Sequence, residues 1–136
     1  LEKTSNEEIE VYIFETIQGT EAYDQWGYEE IEIMVSVLLL PKETGIAREL
    51  EKIAKNSLKL VRTSVHNNDD FEFHTTLKGS DRVLLRFINY TDESTDKYRT
   101  KHKDILSEMS KEVFKKVLPY IEKQSKIKLK VTKHQK

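Results

Sequence analysis

Residues 28–40, YEEIEIMVSVLLL, constrain the fold more than any other stretch of this chain. Ile31, Ile33, Val35, Val37 and Leu39 fall on one face of a period-two pattern. Side chains alternate across a strand, so these five form one continuous apolar face. The opposite face begins with Glu30 and Glu32 and then turns to Met34, Leu38 and Leu40. The strand therefore starts half exposed and ends buried on both faces.

The neighbouring segments supply partners for it. Ile9, Val11 and Ile13 alternate with Glu10, Tyr12 and Phe14, which predicts a strand over 9–17. The stretch GTEAYDQWG then reads as a long turn, so the two strands form a hairpin. After Pro41, Ile46, Leu50, Ile53, Ala54 and Leu58 make one helical stripe, predicting a helix over about 43–57. LKLVRTSV, residues 58–65, reads as a strand by its β-branched content, with a helix extension as the alternative. FEFHTTL and RVLLRFINY alternate on either side of KGSD and complete a three-stranded meander.

A long helix is predicted from about 95 to 124. Leu106, Met109, Val113 and Val117 form its stripe, widened by Ile105, Phe114 and Ile121. Pro119 should kink or end it near Leu118. KIKLKV sets Lys126, Lys128 and Lys130 against Ile127, Leu129 and Val131, a last strand with one basic face. The expected order is ββ-α-βββ-α-β: an α+β chain with a mostly antiparallel sheet and two helices on one face. Residues 1–8 read as a polar tether, 9–131 as one domain and 132–136 as a frayed basic tail.

Charge is segregated along this order. Residues 1–94 hold 10 Lys and Arg against 19 Asp and Glu, net -9. Residues 95–136 hold 13 against 5, net +8. Such asymmetry points to an anionic partner or to an acidic counter-surface within the domain. The basic candidates are Lys97, Arg99, Lys101 and Lys103 with Lys126, Lys128 and Lys130. A polyanion – nucleic acid, cell-wall polymer or anionic membrane – would weaken steeply with salt. The order α-β-β-β-α over 43–124 is similar to that of double-stranded RNA-binding domains. The loop that would enter the groove is the acidic HNNDD, however, and KHKDI replaces a lysine run. Nucleic acid is therefore not the expected partner.

The aromatic candidates are Tyr23, Trp26 and Tyr28, in or beside the first turn near Glu21 and Asp24. Tyr and Trp anchor protein interfaces well, so they are the preferred partner-binding residues. The bland alternative is that Trp26 caps the hairpin core. HNNDDFEFH gathers His66, Asp69, Asp70, Glu72 and His74, but in a spacing that turn chemistry explains better than metal binding. No GxSxG, HExxH, Walker loop or GxGxxG is present, and the chain has no cysteine. No catalytic residue, metal or cofactor is expected.

The sequence opens on Leu1, with polar LEKTSNEE. That fits the mature end of an exported, lipid-anchored bacterial protein, with a cytosolic origin as the alternative. The expected function is a non-enzymatic, extracytoplasmic module that binds another protein, a second copy of itself included. A membrane would be reached only through a tether outside this sequence.

Overall fold

The computed structural model of the chain describes residues 8–23, 29–61, 71–91 and 99–135. Five strands form one sheet: β1 (Glu8–Tyr23), β2 (Glu29–Pro41), β3 (Phe71–Lys78), β4 (Arg82–Thr91) and β5 (Lys128–Gln135). Their order is β3-β4-β2-β1-β5. All neighbours are antiparallel except β1 and β5, which run parallel. The α+β architecture with a mostly antiparallel sheet is as the alternation implies, and β2 lies at its centre.

The helical elements are α1 (Ala47–Ser57), α2 (Arg99–Glu112) and α3 (Leu118–Ser125), with a wide π turn (Val113–Val117) joining the last two. They share one side of the sheet. α1 lies against β3 and β4, α2 against β1 and β2, and α3 against α1. The core is the layer between. Ile9, Val11, Ile13, Ile33, Val35, Val37, Leu39, Val83, Leu85 and Phe87 meet Leu50, Ala54, Ile105, Met109, Val113 and Val117. The other face of the sheet carries Tyr12, Phe14, Met34, Leu38 and Leu84, all half-buried.

Four local readings change. The first strand does not turn at Gly19 but runs to Tyr23, through an irregularity between Gly19 and Tyr23. Residues 58–60 form a 3-10 turn that continues α1 rather than a strand. That turn eclipses positions three apart, so Leu58 and Val61 both enter the core while Leu60 stays 37% exposed. A strand would have paired Leu58 with Leu60 instead. Ser57 is buried there, its hydroxyl donating to the Ala54 carbonyl at 2.6 Å. The rest of the expected strand, 62–65, lies outside the described residues, and only β3 and β4 stand between the helices among those described.

Pro119 does not end the helix. Ile105, Met109, Val113, Val117 and Ile121 are all buried and recur every fourth residue. In an α-helix each such step overshoots by about 40° and the stripe drifts off the core. The wider π turn takes more residues per turn and brings Val117 and Ile121 back. It also ends where Pro119 begins the next turn, near the start of α3, where a missing N–H costs least.

Finally, residues 132–135 are not a frayed tail but the second half of β5. The turn into β5 is held by Glu122. Its carbonyl accepts the Lys126 N–H at 2.9 Å, and its carboxylate accepts the Leu129 N–H at 2.9 Å. Lys126 itself takes the left-handed conformation, φ 61.

Candidate functional site: a groove beneath the second helix

The alternation of β1 has one exception on its core face. Ile9, Val11 and Ile13 are fully buried, and Glu15 follows in the same file. In its cross-strand row it stands beside Val35, Phe87 and Phe73. A carboxylate placed there needs a partner, because burial without one costs several kcal/mol. The Glu15 side chain is only 6% exposed, and its carboxylate meets the His134 imidazole.

A bulge in β5 brings His134 to it. Val11 pairs with Val131, but Tyr12 pairs with Lys133, so Thr132 is an extra residue. Without it Lys133 would face the helices and His134 the bare side. The extra residue reverses the alternation, which is the general effect of a bulge on side-chain direction. His134 then sits opposite Ile13 on the helix side, and Lys133 lies over the Phe14 ring on the other, 6.0 Å from its centroid. The imidazole also packs on Phe114, with ring centroids 5.1 Å apart and planes tilted by 49°.

Around this pair opens a groove of about 680 Å³. Its floor is Glu15, Ile17 and His134. Its wall is Lys103, Leu106, Ser107, Ser110 and Lys111 of α2, then Phe114 and Lys115 of the π turn. Ile17 is 38% exposed and Phe114 37%, large apolar surfaces left open to solvent. Phe114, expected to widen the buried stripe, therefore lines the groove instead. Lys103, Lys111 and Lys115 are exposed and form no ion pair among the described residues, unlike Lys116, which reaches Glu112 at 2.8 Å.

A serine nucleophile needs its hydroxyl within hydrogen-bond reach of a base. Ser107 and Ser110 line the wall, but among the described residues neither hydroxyl bonds the imidazole, whose Nε2 is engaged by Glu15. Apolar surface with a few fixed polar groups is the usual make-up of a ligand site.

Of the residues singled out in the sequence, those described lie on several elements. Tyr23 ends β1 opposite Glu29. Trp26, Tyr28 and Lys97 lie outside the described residues, as do His66, Asp69 and Asp70. Arg99 and Lys101 are in the first turn of α2, and Lys103 lines the groove. Lys126 is the left-handed residue before β5. Lys128 and Lys130 stand beside Glu8 and Glu10 of β1 on the bare side of the sheet. His74 and Glu72 share a strand face, 3.9 Å apart. Neither Glu15 nor His134 carried a signal in the sequence as a pair, being 119 positions apart. Glu15 alone was visible, as the one charge in an apolar file. Compared with models of known protein families, with curated proteins and with solved structures, the chain matches none of them.

Proposed function

We propose that this chain is a non-enzymatic binding module that captures a partner protein in the groove between α2 and the β1–β5 edge. The observation that carries this reading is the company kept by the Glu15–His134 pair. The two ionisable groups at the base are engaged with each other, while Ile17, Leu106 and Phe114 offer apolar surface, and three lysines without an ion pair among the described residues stand around it. Buried apolar anchors ringed by charge are what a protein interface uses for affinity and orientation. The polyanion alternative is weaker, because Lys128 and Lys130 already have Glu8 and Glu10 as strand neighbours.

The test is a selection of displayed peptides against the folded chain, followed by amide chemical-shift mapping of the best binders. Shifts centred on Ile17, Leu106, Ser110, Phe114 and His134 are expected. Binders that map instead to Tyr12, Leu38 and Leu84 would move the site to the bare face of the sheet. Ester or phosphoester turnover abolished by Ser110→Ala would refute the non-enzymatic part.

A further inference from the structure

We infer that a second copy of this chain pairs with the first along β3, edge to edge and antiparallel, so that the two sheets join into one with Thr75 on the two-fold axis. This interface lies at the end of the sheet opposite the groove and stands independently of it.

β3 has β4 on one side and, among the described residues, no strand on the other. Its pairing with β4 is regular from Phe71 to Lys78, with neither bulge nor proline. Glu72, His74, Thr76 and Lys78 fall on the bare side of the sheet, and Phe71, Phe73, Thr75 and Leu77 on the helix side. Every second residue of such an edge turns its N–H and C=O outward, and an added strand satisfies them. Phe73 is 39% exposed there, although it packs on Phe71 and Phe87.

The side chains of β3 complement their own copy. Antiparallel pairing about Thr75 sets Glu72 opposite Lys78 of the second copy, and Lys78 opposite its Glu72. Between these ion pairs His74 meets Thr76, and on the helix side Phe73 meets Leu77. Opposite charges and apolar pairs directly across two strands both favour pairing. A slide of one residue would mix the two faces. A slide of two sets His74 against its own copy or against Lys78, and loses both ion pairs. Lysine on an edge ordinarily discourages pairing. Here Glu72 at the other end of the strand makes it select one register.

The helices leave room for this arrangement. A two-fold axis normal to the sheet keeps the helices of both copies on one side. α1 packs on β3 and β4 together. The two copies of α1 then stand two strand spacings apart, about 10 Å, the usual distance between packed helices.

The experiment is sedimentation velocity on the whole chain from micromolar to millimolar concentration, where a monomer–dimer equilibrium is expected. Glu72 and Lys78 are exposed, so reversing either charge should leave the circular dichroism spectrum unchanged. Glu72→Lys and Lys78→Glu should each weaken the dimer about tenfold, since both ion pairs become like-charge contacts. The double variant Glu72→Lys, Lys78→Glu should recover the parental dimer, its pairs restored with signs exchanged. In a mixture of isotope-labelled and unlabelled chain, filtered nuclear Overhauser contacts should join Phe73 of one copy to Leu77 of the other. A chain that stays monomeric at millimolar concentration overturns the inference. So does a dimer that both single reversals leave unchanged, or one whose contacts between copies run through Leu38 and Leu84 or through Phe114. Failure of the double variant to recover overturns the register.

Discussion

The two faces of the sheet use the same strands, yet they live differently. On the helix side of β2, Ile33, Val35, Val37 and Leu39 are fully buried. On the other, Met34, Leu38 and Leu40 are only half-buried, beside Tyr12, Phe14 and Leu84. Cover differs, and so does the centre, where Ser36, Arg86 and His74 form one cross-strand row among the apolar side chains. The bare face is framed by charge on its outer strands, with Glu72, His74 and Lys78 on β3 and Lys128, Lys130 and Lys133 on β5. Hydrophobicity at the centre of a sheet thus marks where a second layer can pack, and the helices decide which face receives it.

The sharpest way to break this comparison is to place a charge in each layer. Val113→Asp should destabilise by more than about 3 kcal/mol, since an unpaired carboxylate would sit in the fully buried stripe. Leu38→Asp, on the bare face, should cost less than half as much in the same urea titration. Equal costs would mean that both faces are covered in solution. Truncating an aromatic on each side is gentler. Phe87→Ala should cost about 3–5 kcal/mol, and Phe14→Ala about 1 kcal/mol, because Phe14 leaves little cavity behind.

The covered face was legible in the sequence and the bare one much less so. Alternation in YEEIEIMVSVLLL and RVLLRFINY showed which residues share a side, and burial follows it from Ile31 to Leu40 and from Val83 to Phe87, while Ile88 is buried on the opposite face. The every-fourth-residue spacing from Ile105 to Ile121 even contained the π turn, since no straight α-helix keeps that stripe inward; Pro119 drew the attention instead. Sheet order was not legible. Nothing local tells β5 to join β1 in parallel, and a bulge at Thr132 shifts every later residue of β5 to the opposite side. The candidate site depends on both, so the Glu15–His134 pair was out of reach of periodicity; of the visible basic residues, Lys103 lines the groove.

Two smaller changes sharpen the contrast at the sheet's corner and on its bare face. Lys126 holds the left-handed turn between α3 and β5, a conformation that suits glycine. Lys126→Gly should raise the unfolding free energy by about 0.5–1 kcal/mol, read from the urea midpoint. On the bare face, Tyr12 donates its hydroxyl to Glu10 at 3.1 Å, and this hydrogen bond, with burial and the carboxylate's charge, raises the Tyr12 pKa above the ordinary phenol value. Glu10→Gln should shift the ultraviolet ionisation of Tyr12 to lower pH with almost no change in stability. An unmoved titration would show that the pair does not form in solution.

The parallel pairing of β5 also sets a timetable. β1 with β2 and β3 with β4 join strands separated by short connections, and each hairpin closes locally. Glu8 opposite Lys128 instead closes a loop spanning almost the whole chain. Such a contact forms only after a large search, so β5 is expected to dock after the hairpins and the helices are in place. His134 arrives with it, and Glu15 gains its partner at that moment. The groove is therefore absent from every partly folded form that lacks β5, and whatever recognises it recognises only a finished molecule.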